Sequence, residues 1–462
     1  MDFYLVLVAV LAAFAASLAY ILHKGRASRA AYTTSSKDDS AHVEDLSASA
    51  GEDAQLSQAA ATFRNNYFAV YTLVLAADWL QGPYVYSIYH EDHKLPERTI
   101  AALFGTGFVV AGIASSFLGA LADRYGRRLA CLGFCAATSL SCLSVMASSS
   151  NLYILFLGRA LGGLSSTLLY SVFEAWMVTE HNTRDLGETL PLSDMFGASS
   201  TLSGVVAIVT GVIAQCMVSY TGSRATPFVL AICLLILAAA AILRYWNENY
   251  GQPRPLSGSH KEEEMRDFAA PTEEPSSTAE RLRLMILGLT TAVFEGSMYV
   301  FVFLWTPALT SSRDASGYGG DLPLGLIFSS FMCAMMIGSM TFTALSARGF
   351  APVRLLVDVL TGAACALLVP VLWHQELVTF GSFIFFEMAV GIYFPVMGKL
   401  KSDWVRDSVR AKVYTWMRLP LNLFVFVALG VTKEGDYHRT LTFNVLGGLL
   451  FATAVVVRTC LV

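Results

Sequence analysis

Apolar residues in this chain come in long runs, without the two-residue alternation of a half-buried strand, and each run has the roughly 20-residue length that carries a helix across a hydrocarbon layer. The first run covers 3–22. Twelve more follow at 67–89, 99–122, 129–147, 151–178, 193–216, 226–246, 281–305, 323–346, 351–372, 377–398, 411–432 and 440–461. The pattern predicts an all-α polytopic membrane protein. Two polar stretches interrupt it. The stretch 24–66 is rich in Ser, Ala, Asp and Glu and is expected to be a disordered linker. The stretch 247–280 holds Pro253, Pro255, Pro271, Pro275 and the triplet Glu262, Glu263, Glu264, and reads as a flexible linker. The expected organisation is an extra N-terminal membrane helix at 1–23, a linker at 24–66, a six-helix bundle at 67–246, a central linker at 247–280 and a second six-helix bundle at 281–462.

Composition supports this reading. Of the 462 residues 55% are hydrophobic and only 14% charged, and mean hydropathy is +0.54. The formal net charge of -4 is small for this length and gives nucleic acid nothing to bind. No zinc-spaced Cys/His cluster, nucleophile elbow or phosphate-binding loop is present, so neither an enzyme, a metal nor a cofactor is expected. All eight cysteines fall in apolar runs. Cys131 and Cys135, one helical turn apart, suit packing better than a soft metal.

Charge also sets the expected orientation. With the turn at 123–128 in the cytosol, segments on that face carry 23 Lys and Arg, including five at 399–412, against 6 on the opposite face. The first run is followed, not preceded, by basic residues (His23, Lys24, Arg26, Arg29). It is expected to be a retained span with its N-terminus outside, a cleaved leader being the alternative.

The turn itself reads GALADRYGRR from Gly119 to Arg128. Glycines permit a tight turn and close helix approach, Asp123 can cap a helix N-terminus, and the arginines hold the loop in the cytosol. Gly119, Asp123, Arg124, Gly126, Arg127 and Arg128 together resemble the signature loop of the major facilitator superfamily, between its second and third helices. The resemblance implies two related six-helix bundles that rock about a central site near the midplane, with this loop part of the gating machinery. No internal sequence repeat is visible by eye, and the corresponding segment SARGFAPVR at 346–354 keeps only a glycine and basic character.

A charge at the bilayer centre costs about 2.5 to 3.5 kcal/mol on insertion scales, so ionisable residues inside the runs mark candidate chemistry. Six stand out: Asp78, Arg159, Glu174, Glu295, Glu387 and Arg418. The superfamily resemblance implies that helices 1, 4, 7 and 10 line the cavity, which would include all of them but Arg418. Glu174 lies about 22 Å further along its helix than Arg159 and cannot pair with it. Gly82-Pro83 follows Asp78, and Asp78, Gln81 and Gly82 share a helical face. Pro307 is expected to end the seventh helix, and Gly391 and Pro395 follow Glu387. The competing expectation is that the charges pair with each other across helices, notably Glu387 with Arg418.

Longer segments narrow the resemblance. AADWLQGPYVYSIY (76–89), LGRALGGLSSTLLYSVFEAW (157–176), FEGSMYVFVFLWTPAL (294–309), GLIFSSFM (325–332) and GIYFPVM (391–397) resemble the molybdate-anion transporter group of the superfamily. That resemblance implies uptake of a tetrahedral dianion, with Arg159 and then Arg418 as fork-shaped donors and Gln81 and Tyr84 beside them. The six charges sum to -2 when all are ionised, which an anion would not tolerate. Protonation of Asp78, Glu295 or Glu387 along with anion entry is therefore the expected coupling. The Gly-Pro pair of superfamily antiporters is missing from 197–211. A transporter of another solute (a sugar, an organic ion or sulfate) and a non-transporting receptor or scaffold of the same fold are the alternatives. The expected setting is the lipid bilayer, the plasma membrane in preference to an internal one, with the protein a monomer.

Overall fold

The structure, a computed structural model, describes residues 2–34, 46–147, 151–251, 278–405, 410–433 and 435–461. All regular elements among them are helical. The first half of the chain contains α1 (Asp2–Thr34), α2 (Leu46–Gln81), α3 (Glu97–Ala114), α4 (Leu118–Tyr125), α5 (Arg127–Met146), α6 (Leu152–Leu169), α7 (Val172–Thr183), α8 (Leu192–Thr221) and α9 (Thr226–Tyr245). The second contains α10 (Thr278–Ala315), α11 (Leu324–Ala347), α12 (Pro352–Leu372), α13 (Glu376–Trp404), α14 (Arg410–Val431) and α15 (Asp436–Leu461). Among the described residues 11 helical stretches, Phe3–Leu22 included, are long and apolar enough to cross a membrane. The runs at 67–89 and 411–432 fall short: α2 breaks at Gly82-Pro83, and the apolar part of α14 is only Trp416–Val431.

Element boundaries differ from the expected ones in instructive ways. In place of a linker over all of 24–66, α1 continues to Thr34 and α2 begins at Leu46, so only 35–45 lie outside the described residues. The start of α2, LSASAGEDAQLSQAAATF, is poor in large apolar side chains but rich in Ala, which favours helix whether or not it is buried. Most of the expected central linker, 252–277, also lies outside the described residues. Pro307 does not end its helix, and α10 runs on to Ala315 with the proline inside it. Pro370, Pro395 and Pro420 are likewise internal, which membrane helices tolerate because neighbouring groups satisfy the freed carbonyls. Two further expected spans are interrupted, at Ser115 to Phe117 between α3 and α4 and at Tyr170-Ser171 between α6 and α7.

The chain forms two compact units. Unit 1 is Met1–Val85, Ala114–Gly251 and Pro323–Cys333, and unit 2 is Tyr86–Ile113, Gln252–Leu322 and Ala334–Val462. Helix α3 thus belongs with most of the second half, and the first turns of α11 belong with the first half. Within unit 1, α5 packs on α6 and α9, and α2 packs on α8 and α9. Within unit 2, α12 packs on α13 and α15, and α10 packs on α14 and α15. These are the same neighbour relations repeated, so a repeat that residue identity conceals is present in the helix pairing.

Aromatic stacking consolidates each unit. In unit 1 Trp176 and Trp246 stack at 3.7 Å between ring centroids, and Tyr67 stacks on Trp246 at 6.0 Å. In unit 2 Phe294 and Tyr393 stack at 3.8 Å, with Phe386 on the same seam. Such pairs contribute about 0.5 to 1.5 kcal/mol each beyond their buried area. Beside that seam α11 and α13 touch backbone to backbone. A Cβ added at Gly338 would collide with the Met388 carbonyl oxygen, and one at Gly391 with that of Met335.

Candidate functional site

In unit 1 the GALADRYGRR turn is a built junction. Gly126 stands between α4 and α5 at φ 115°, a conformation that excludes nearly every other residue, and a Cβ there would meet the Glu248 carboxyl at 2.5 Å. Glu248 accepts the backbone N–H groups of Arg128 at 2.8 Å and Leu129 at 3.2 Å, so it is the residue that caps α5. Asp123, expected as that cap, instead holds Arg127 at 2.7 Å. It sits one turn before Arg127 on the exposed side of α4, facing the guanidinium and not the α5 amides. Arg127 also donates to the Ala175 carbonyl at 3.1 Å and to Thr179 Oγ1, which ties α7 in.

Arg128 donates to the Leu243 carbonyl at the end of α9 at 2.8 Å. The segment 247–251, expected to open the flexible linker, is strapped to the same junction. The Asn249 carbonyl accepts from Arg127 N at 3.0 Å, the Asp123 carbonyl accepts from Gly251 N at 3.0 Å, and Asn249 Nδ2 donates to the Trp176 carbonyl at 3.1 Å. Gly119 plays no such part, for a Cβ there would meet nothing within 4 Å. Arg124 lies over the Tyr125 ring at 5.5 Å.

The intramembrane charges divide between the units. In unit 1 Asp78, near the end of α2, makes no hydrogen bond or ion pair among the described residues. It lies within electrostatic range of Tyr71 on its own helix and Cys142 on α5. Tyr71 also feels half-buried Glu174 in the first turn of α7. Arg159 is half-buried on α6. Gln81 donates to the Ala77 carbonyl of its own helix at 2.9 Å, and buried Tyr84 donates to Gln215 Oε1 at 2.9 Å. The same Gln215 oxygen accepts from Gly325 N at 3.1 Å, so Tyr84 serves a knot joining the turn after α2 to α8 and α11 within unit 1.

In unit 2 buried Glu387 makes no hydrogen bond or ion pair among the described residues, and Arg418 is not its partner. Glu295 is the acid that Arg418 influences, along with Tyr299 on the next turn of α10. Arg418 lies on α14, which packs on α10, and that neighbour relation decides which carboxylate it faces. Glu295 Oε1 accepts from the Tyr393 hydroxyl at 3.2 Å and lies 3.7 Å from Lys401 Nζ. Lys401 is the site residue that sequence reasoning missed. It falls among the basic residues at 399–412 that an expected helix end at 398 leaves in the cytosol, whereas α13 continues to Trp404. The available signal was the spacing of Tyr393, Met397 and Lys401, which keeps one helical face in line with no breaker after Gly398.

A cavity of 580 Å³ opens elsewhere in unit 2, near the start of α3 and α15, with His90, His374, Asp314 and Glu91 in its lining. Its basic group is committed: Arg439 Nη1 donates to Glu97 Oε1 at 2.5 Å and Arg439 also pairs with Asp436, while Asp436 accepts from Ser311 Oγ at 2.6 Å. Nearby, Arg313 pairs with Glu376 at 2.6 Å.

Apolar spans with carboxylates and cations inside each unit, and a Gly-x3-Asp-Arg-x-Gly-Arg-Arg turn within unit 1, define a transporter of the major facilitator class. Residues 41–392 match the family described as sugar transporters with 12 TM spans. The chain belongs to the molybdate-anion transporter family of that superfamily. It is 34% identical to the molybdate-anion transporter of Xenopus tropicalis over 395 residues, covering 81% of this chain and 80% of the relative. It is 33% identical to that of Danio rerio over 397 residues, covering 79% and 78%. The fold is shared with a single-residue mutant of the nucleoside transporter NupG, at a TM-score of 0.67 and 12% identity over 86% of this chain and 100% of that one. These relatives are transporters, not enzymes.

Proposed function

We propose that the chain takes up molybdate by alternating access, with Arg159 and Arg418 as oxyanion donors and Asp78, Glu295 and Glu387 as the groups that accept protons as the anion enters. The observation that carries this reading is the state of Asp78 and Glu387. Both are carboxyl groups inside apolar spans, and neither has an ion pair among the described residues. A carboxylate left so is costly, and a proton relieves the cost while lowering the field against an anion. Glu174 is a further acid of unit 1. Gln81 and Tyr84 support the site by fixing the end of α2 beside Asp78. The repeated helix pairing supports an arrangement of two six-helix bundles plus α1, with the Gly119 to Arg128 turn in the cytosol. A monomer in the plasma membrane is the working form.

The test is uptake of radiolabelled molybdate into vesicles holding the purified protein, under imposed pH gradients and in competition with tungstate, sulfate and sugars. Uptake is expected to be driven by an inward proton gradient and inhibited by tungstate, and Arg159→Gln is expected to abolish it. Uptake indifferent to the pH gradient removes the coupling. Inhibition by sugars alone favours a sugar substrate, in line with the family description.

A further inference from the structure

We propose that Lys401 is an oxyanion-binding residue whose ammonium is held in reserve by Glu295, so that the entering anion and the Glu295 carboxylate compete for one cation. The inference rests on the oxyanion-transport reading above and names a donor that reading lacked.

Three observations in unit 2 carry it. The first is the looseness of the pair. Lys401 Nζ and Glu295 Oε1 are 3.7 Å apart, whereas Arg313 with Glu376 and Arg439 with Glu97 close to 2.6 and 2.5 Å. A full charge-assisted hydrogen bond spans about 2.7 to 2.9 Å, so the latter two pairs act as struts and the first does not. The second is direction. Side chains on a helix lean toward its N-terminus, so Lys401, in the last turn of α13, reaches back along the buried stripe of Met397 and Tyr393 toward the membrane interior. Its side chain is 18% exposed and that of Glu295 16%, so both are largely shielded yet open on one side.

The third is the charge around them. Glu295 is influenced by Lys401 and by Arg418, and its oxygen also accepts from Tyr393. Tyr299 stands in the same field, and Lys401 lies 5.7 Å from the centre of the Tyr414 ring. Among the described residues two cations thus face one carboxylate, leaving a positive surplus beside the phenols of Tyr393 and Tyr299. With Lys401 included, the intramembrane charges sum to -1 instead of -2. An ammonium carries three donors, and one carboxylate oxygen at 3.7 Å leaves room for a tetrahedral oxyanion to take the others.

The experiment compares wild type, Lys401→Gln, Lys401→Arg, Glu295→Gln and the Glu295→Gln/Lys401→Gln double variant, purified at full length and shown by thermal melting to be folded. Molybdate binding is measured by calorimetry, with tungstate and sulfate as further probes, and uptake is measured in vesicles. Lys401→Gln is expected to weaken binding at least about tenfold, the scale of one charge-assisted hydrogen bond, and Lys401→Arg to restore most of it. Glu295→Gln is expected to tighten binding, and the double variant to lose that gain, a coupling that a purely structural lysine would not produce. Binding by Lys401→Gln equal to wild type overturns the proposal, as does a Glu295→Gln protein that binds no more tightly. Should Lys401→Gln not fold, Glu295→Gln and Lys401→Arg decide the matter. If wild type binds none of the three oxyanions, the transport reading falls too; if it binds and Lys401→Gln binds equally, only Lys401 is excluded.

Discussion

The turn from Gly119 to Arg128 and the turn from Ser346 to Arg354 occupy matching places in the two repeats of helix pairing, yet among the described residues only the first is tied to other elements. In unit 1 the turn is gripped by Glu248, Asn249 and Gly251 from the strap after α9 and by Ala175 and Thr179 of α7. In unit 2 the turn closes on itself: the Leu345 carbonyl accepts from Arg348 N at 3.0 Å and Phe350 N at 3.3 Å. Gly349 there also has a positive φ, 81°, but a Cβ on it would meet nothing within 4 Å. The lesson is that a left-handed glycine alone makes a turn, while a left-handed glycine packed against a capping carboxylate makes a clamp.

The sharpest way to break this comparison is to fill both glycines. Gly126→Val meets backbone strain and a collision with Glu248 together and is expected to cost about 3 kcal/mol or more, seen as loss of folded protein in size-exclusion profiles. Gly349→Val meets strain alone, about 1 to 2 kcal/mol, and should still fold. Equal damage at both sites would refute the distinction. Next in size, Arg127→Ala removes bonds to Asp123, Ala175 and Thr179 and is expected to cost about 2 kcal/mol in thermal melting, with Arg354→Ala near zero. A smaller effect is expected from Glu248→Ala, about 1 kcal/mol as for a lost helix cap, and adding Asp123→Asn should add only what Asp123→Asn costs alone through its pair with Arg127. A double variant whose cost departs from the sum of the two single ones would mean that Asp123 shares the capping after all.

Most of the helices were legible in the sequence because a bilayer imposes length and apolarity together, and both are written in composition. Runs such as 129–147, 226–246 and 351–372 correspond to α5, α9 and α12 within a residue or two. The runs read least well where local chemistry competes with apolarity. Gly82-Pro83 cuts a continuous apolar stretch, and the Ala-rich start of α2 is helical without being apolar. The intramembrane charges were legible as a set but not as pairs. Whether Arg418 faces Glu295 or Glu387 depends on which helices touch, and helix-span patterns carry no such information. Glu248 and Lys401 were hidden for a different reason. Each sits just past an expected boundary, on its solvent side, and a shift of a few residues in that boundary moves it into the structure.

The duplicated helix pairing has one more implication. If a bundle is specified by which rods lie side by side, its side chains can be rewritten almost freely provided each rod keeps its partners. One copy could then keep its fastener while the other lost it, and one could hold its cation behind a loose acid while its twin left an acid bare. Ancestry in such a protein survives as wiring after it has vanished as spelling.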